Sequence, residues 1–307
     1  MKRSFILFIF LFLLISDFYA QSVSFITMGD WGRGGNYGQT ETAVAMGIYA
    51  EKNSTNFILV LGDNFYPTGV KSVNDSMWLA SFENVYTFQS LQIPWYVAIG
   101  NHDYGGSVQA QIDYSNISSR WKLPARYYSF EKKIDDSTNV LFIITDTNPF
   151  IKSYLDINPE NDELDSSSVE DLRKQDTKAQ LNWIENVLKN SKAKWKIVSG
   201  HHPIYSGGLH GNTPELIEQF KPLFEKYNVN MYICGHDHDM QHLREQASSV
   251  NYFVAGSGSQ LRPTAETANT LFAKSVNGFL AVNITTAEII SEFIDINGNE
   301  LYKVNLK

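Results

Sequence analysis

The chain has 307 residues, 43% of them hydrophobic, and a formal net charge of −8. That length and apolar content support a sizeable core and argue against disorder. The acidic balance disfavours binding nucleic acid through its phosphates, and a single cysteine, Cys234, excludes an intramolecular disulfide.

Lys2 and Arg3 precede an unbroken apolar run from Phe5 to Ile15, and Ala20 follows shortly after. This is the layout of a secretory signal peptide, because the run is far shorter than the ~20 residues needed to span a bilayer. An uncleaved anchor is the weaker alternative. The expected organisation is a signal peptide at 1–20 and one domain at 21–307, with a net charge of −9 after cleavage. Export to the periplasm or the medium follows, as a monomer without stable membrane association. Asn53, Asn74, Asn116 and Asn283 each begin a glycosylation sequon.

In chain order, Val23–Met28 reads as a strand ending in Gly29-Asp30-Trp31-Gly32, and 38–52 as a helix. Phe57–Leu61 is a continuous apolar run, as in a strand buried on both faces, and it ends in Gly62-Asp63-Asn64-Phe65-Tyr66. A helix is expected over 76–88, then a strand over 95–99 ending in Gly100-Asn101-His102-Asp103. Tyr127–Lys132 and Asn139–Thr145 read as strands. The stretch 150–175, dense in acidic residues, reads as an exposed loop. A helix at 177–190 precedes the strand Trp195–Ser199 and the turn Gly200-His201-His202-Pro203. A helix at 214–227 leads into the run Val229–Cys234 and then Gly235-His236-Asp237-His238. There, spacing two in extended backbone would aim both imidazoles at one site, with Gly235 permitting a sharp turn. Tyr252–Ala255, Phe279–Ile284, Ile289–Ile294 and Leu301–Val304 complete the strands. Early strands alternate with helices and late strands follow one another. That predicts an α/β fold of two stacked mixed β-sheets flanked by helices.

Five strand ends thus carry ligand-type side chains: Asp30; Asp63 with Tyr66; Asn101 with His102; His201 with His202; and His236 with His238. Sites in α/β sheets lie beyond the carboxyl ends of strands, so these turns are candidates to converge. A lone Asp or Asn after Gly is usually a turn former, and a lone Tyr is usually a core aromatic. Five of the seven histidines fall in three of these turns, however, which favours a metal site. Oxygen and nitrogen donors without thiolate point to iron, manganese or zinc. Seven donors suit two ions rather than one, as in two-metal phosphoryl hydrolysis.

At these residues the chain resembles the metallophosphoesterase superfamily, with its four-layer sandwich. Within it the chain is similar to the purple acid phosphatases of the small tartrate-resistant (type 5) kind. The motifs are Gly29-Asp30, Gly62-Asp63 through Tyr66, Gly100 to Asp103, Val198 to His201, and Gly235 to His238, in family order. The resemblance implies that Asp30, Tyr66 and His238 bind Fe(III). Asn101, His201 and His236 would bind a divalent iron, zinc or manganese, and Asp63 would bridge the two ions. It also implies in-line attack of a metal-bound hydroxide on phosphate monoesters or phosphoproteins, with His102 protonating the leaving group. His202 is a candidate for a further phosphate contact. A phosphodiesterase on the same centre and a non-catalytic metal-binding protein are the competing readings. The 150–175 stretch departs from the family wording, in which a loop over the site represses activity.

Overall fold

The computed structural model describes residues 22–156 and 164–307; the expected signal peptide lies outside them. Among the described residues, fourteen strands run in chain order. The first seven are β1 (Val23–Met28), β2 (Phe57–Leu61), β3 (Trp95–Ala98), β4 (Trp121–Lys122), β5 (Tyr128–Lys133), β6 (Asn139–Ile144) and β7 (Trp195–Ser199). The remainder are β8 (Met231–Cys234), β9 (Met240–Leu243), β10 (Asn251–Ala255), β11 (Thr270–Lys274), β12 (Gly278–Ile284), β13 (Ile289–Asp295) and β14 (Glu300–Leu306). The helices are α1 (Gln39–Lys52), α2 (Asn101–Tyr104), α3 (Val108–Tyr114), α4 (Lys152–Leu155), α5 (Ser166–Arg173), α6 (Thr177–Asn190), α7 (Pro214–Gln219) and α8 (Lys221–Lys226). None among the described residues is long and apolar enough to cross a membrane.

The strands form two seven-stranded mixed sheets, ordered β14-β13-β12-β1-β2-β3-β4 and β11-β9-β10-β8-β7-β6-β5. In the first, β1 to β4 are parallel neighbours and β12 to β14 add antiparallel. In the second, β6, β7, β8 and β10 are parallel, with antiparallel edges. The sheets face each other through Phe25 and Phe57 of one and Phe142 of the other, with edge-on rings 5.5 and 5.3 Å from Phe142. α6, α7 and α8 cover the far side of the second sheet, where Ile184, Leu188, Leu216 and Phe224 meet Val198 and Tyr232. The parallel strands therefore end on one common edge from two sheets, and all five donor-bearing turns leave from such ends.

A second aromatic cluster sits directly under two of those turns. Trp31 follows Asp30 and packs on Phe65, Phe82, Tyr86, Trp95 and Trp121, at centroid distances of 5.4–6.4 Å. Its indole N–H donates to Asn64 Oδ1 at 3.1 Å. Trp31 and Phe65 are fully buried next to Asp30 and Tyr66, so core packing fixes where those two polar side chains emerge. Trp31→Ala is expected to cost ~3–5 kcal/mol, read as a lowered denaturation midpoint. A midpoint unchanged from the parent would show that the cluster does not anchor the turn.

Several elements differ from the sequence reading. The helix expected at 76–88 is one irregular π-type segment, Trp78–Glu83. The helix expected at 214–227 breaks at Phe220, because Pro222 starts a second helix. The stretch expected as an exposed loop at 150–175 contains α4 and α5; Asp165 caps α5 by accepting from Ser168 N at 2.9 Å, and Val169 and Leu172 are buried. β4, β9 and β11 were too short or too polar to stand out. α2 begins at the ligand-type residue Asn101 itself, where the sequence reads as a turn, and α3 follows it without having been expected.

Candidate metal centre

The turns reach their positions through strained backbone. Asp30, Asp63 and His236 each follow a glycine and have φ of 60°, 51° and 68°. Non-glycine residues rarely occupy this left-handed region, which costs of order 1–3 kcal/mol unless the surroundings impose it. The bend thus falls on the candidate ligand itself. Gly235 serves close approach instead: a Cβ there would lie 2.4 Å from Asp30 Oδ2, and one at Gly100 would lie 2.1 Å from Asp63 Oδ1. His236 and His238 are accordingly not aligned by extended backbone; they face different donor groups.

The first group gathers around Tyr66. Its hydroxyl lies 3.0 Å from Asp30 Oδ1, 2.8 Å from Asp63 Oδ2 and 3.2 Å from His238 Nε2. The second gathers around His201, whose Nε2 lies 3.0 Å from Asn101 Oδ1, 3.2 Å from His236 Nδ1 and 3.4 Å from Asp63 Oδ1. Asp63 therefore places one carboxylate oxygen in each group. Asp30, Asp63 and His201 form one donor set of metal-binding spacing, and His201, His202 and His236 another.

Outer contacts orient the rings. His201 Nδ1 sits 2.8 Å from Leu61 O, His238 Nδ1 2.7 Å from Gln260 O, and His102 Nδ1 2.6 Å from Pro67 O. For His201 and His238, an N–H donated to the carbonyl leaves Nε2 as the lone-pair nitrogen, the usual way a protein presents imidazole to a cation. His102 Nε2 is 3.8 Å from Asp63 Oδ2. Asp103 ties two turns together, accepting from Asn64 N at 3.0 Å, Gly100 N at 2.8 Å and Gln111 Nε2 at 2.9 Å.

The sequence model of the calcineurin-like phosphoesterases matches residues 12–240. Purple acid phosphatase 4 of Arabidopsis thaliana is 39% identical over 290 residues, covering 92% of this chain and 83% of that protein. Human tartrate-resistant acid phosphatase type 5 is 34% identical over 312 residues, covering 95% and 93%. The chain belongs to the purple acid phosphatases. It is a dimetal acid phosphatase of the calcineurin-like phosphoesterase family. The fold is shared with solved structures of low identity. One is the anchor of the Plasmodium inner membrane complex, with TM-score 0.76, 24% identity and coverage of 93% of this chain and 89% of that one. Another is a yellow lupin seed purple acid phosphatase, with TM-score 0.67, 17% identity and coverage of 93% and 54%.

Burial and mutual charge perturb the ionisable groups of the centre. Burial, reinforced by neighbouring Asp63, pushes Asp30 up to about 8 although His201 opposes it. Burial would raise Asp63 too, but His201 and His102 hold it well below the usual carboxylate range. Burial would lower His201, yet the Asp63 carboxylate outweighs it and lifts the imidazole to about 9. Burial and the two carboxylates drive the Tyr66 phenol well above its ordinary value. Cation binding where lone pairs of oxygen and nitrogen converge is expected to release protons.

Other residues stand near the centre, and His210 among them carried no sequence signal. His210 stands in the stretch after His202, with no strand leading to it, yet its ring lies 4.1 Å from that of His236. Asp237 Oδ1 accepts from His210 N at 2.9 Å, and Asp237 also pairs with Ser206. The guanidinium of Arg33 lies 3.5 Å over the Tyr66 ring. Both nitrogens of His202 are engaged, Nδ1 at 2.8 Å from Thr147 Oγ1 and Nε2 at 3.0 Å from Tyr154 Oη, so its ring is held edge-on to other side chains. His242, the seventh histidine, stacks on Phe253 and contacts Asn251 and Tyr302, a packing role.

Proposed function

We propose that Asp30, Tyr66 and His238 hold one cation, that Asn101, His201 and His236 hold a second, and that Asp63 binds both. The observation that carries this is the division of the Asp63 oxygens between the two donor groups. The donor set fits hard or borderline ions: it offers carboxylate, phenolate, amide oxygen and imidazole, while the only thiol, Cys234, is buried with its sulfur 3.4 Å from Phe253 O. Such ions would polarise phosphoryl oxygens and acidify the attacking water.

The protein's own part in hydrolysis of small phosphate monoesters is positional and acid–base. His102, with Nδ1 held by Pro67 O, presents Nε2 at the edge of the centre. There it hands a proton to the departing alcohol oxygen. The left-handed turns fix Asp30, Asp63 and His236 before substrate arrives, so little reorganisation is needed at the reacting phosphorus. Tyr66 as an anionic oxygen donor favours Fe(III) in the first site, with divalent iron, zinc or manganese in the second. The N-terminal apolar run supports secretion or export to the periplasm, phosphoproteins being a further substrate class.

The visible spectrum of the oxidised protein tests the iron assignment. A broad tyrosinate-to-Fe(III) charge-transfer band is expected in the parent and is expected to be absent in Tyr66→Phe. A colourless parent that binds metal and hydrolyses phosphate esters would remove Fe(III) and leave a zinc or manganese centre.

A further inference from the structure

The helix that presents Asn101 and His102 is too short to hold itself in place. α2 is a single turn, Asn101 to Tyr104. One turn fixes several backbone dihedrals for very few hydrogen bonds of its own, so outside contacts decide its orientation. One set of contacts comes from the neighbouring donor-bearing turns. Asp103 accepts from Gly100 N and Asn64 N, and His102 N donates to Asp63 Oδ1. A second set comes from parts of the chain that hold no donor, and it converges on Tyr104.

Tyr104 is buried, and its hydroxyl donates to Asp146 Oδ2 at 2.5 Å and accepts from Arg126 Nη1 at 2.8 Å. Its carbonyl accepts from Ser168 Oγ at 2.7 Å. Asp146 stands just past β6 and is also buried. Its Oδ1 accepts from Asn148 Nδ2 at 2.9 Å, and that amide also donates to Ile99 O at 2.9 Å, two residues before Asn101. Arg126, between β4 and β5, turns Nη2 towards both carboxylate oxygens of Asp171, at 3.1 and 2.8 Å. Ser168 and Asp171 both belong to α5. The acidic stretch therefore grips Tyr104 directly at its backbone and, through Arg126, at its hydroxyl. The phenol is used both as donor and as acceptor, and charge-assisted guanidinium bonds fix direction as well as distance.

We propose that Arg126 is a positioning residue for the phosphatase reaction: held by Asp171, it fixes Tyr104 against Asp146 and so sets where α2 presents His102. This rests on the reading of His102 as the acid. Among the described residues the polar side-chain contacts of Arg126 are with Tyr104 and Asp171, so its influence on the reaction passes through α2. Proton transfer needs the imidazole within hydrogen-bond reach of the departing oxygen, and a displacement of about 1 Å costs ~10²-fold.

The holoenzyme and its variants are assayed on glycerol 2-phosphate and on p-nitrophenyl phosphate, with metal content and denaturation midpoint measured in each. Arg126→Met is expected to lower kcat on glycerol 2-phosphate ~10–100-fold, with KM near the parent value. The loss on p-nitrophenyl phosphate is expected to be much smaller, because nitrophenolate leaves without a proton. Arg126→Lys, which keeps the charge but not the planar fork, is expected to recover part of the loss. Asp171→Asn keeps the shape of a side chain that is 39% exposed, and is expected to show the same contrast at smaller size. It carries the test if Arg126→Met does not fold. In a His102→Ala background, Arg126→Met is expected to add nothing on glycerol 2-phosphate, as for two residues acting as one unit. Equal loss on both substrates overturns the positioning role, as does an unchanged kcat ratio or a loss that adds in full to that of His102→Ala. His102→Ala alone depressing both substrates equally removes the acid reading, and this inference with it.

Discussion

Asp63→Ala is expected to empty both cation positions and to lower phosphatase kcat/KM by more than the ~100-fold that loss of an outer partner costs a metal site. The reason is geometric. Asp63 Oδ2 lies with Tyr66 and Oδ1 with His201, so one truncation removes a donor from each group. Oδ1 also accepts from His102 N at 2.9 Å, so the turn bearing the proposed acid loosens at the same time. Removing this acidic side chain also leaves the His201 imidazole without the carboxylate that outweighs its burial. Metal analysis of the purified variant reads the first effect and steady-state kinetics the second. Asp63→Asn, which retains one neutral oxygen of similar shape, is expected to keep more metal than Asp63→Ala. A fully metallated Asp63→Ala protein turning over at the parent rate would rule out the shared-carboxylate assignment.

His102→Ala is expected to lower kcat by ~10²–10⁴-fold on alkyl phosphates, the range of general acid catalysis. The loss on p-nitrophenyl phosphate is expected to be much smaller, because nitrophenolate leaves readily without a proton. This contrast between leaving groups separates an acid from a residue that only packs. The His102 ring does pack, 4.4 Å from the Tyr66 ring, so a packing role would depress both substrates alike. Metal content is expected to stay at the parent level, since His102 belongs to neither donor group. Equal loss on both substrates, or loss of metal, would remove the acid role.

The strands that carry the donor turns were legible because they are buried on both faces. Phe57–Leu61 is fully buried, and a run of five apolar residues has few other homes. The alternation of early strands and helices likewise led to two mixed sheets. What escaped notice had weak local signals. α5 was hidden in an acidic stretch because Val169 and Leu172 are its only buried apolar residues, and the break at Phe220 depends on Pro222, which a count of apolar positions passes over. The candidate donors could be named from five glycine-bearing turns, and the structure brings them together. His210, Arg33 and Asp237 could not: His210 follows no strand of its own, and Arg33 and Asp237, though in or beside strand-end turns, act through a neighbour from a distant turn.

The sequence by itself determined which residue types stand at the strand ends, and that their chemistry is oxygen and nitrogen without thiolate. It did so because periodicity and turn residues are local properties. Only the tertiary structure decided how the donors divide. Sequence spacing suggested that His236 and His238 point the same way; the left-handed backbone at His236 sends them to different groups. The two sheets bring β1, β2 and β3 opposite β7 and β8, and only that packing sets Asp63 between Tyr66 and His201. Asp63 and Tyr66 share one turn, but the approach of Asp63 to His201 is a contact far apart in sequence, which no local pattern encodes.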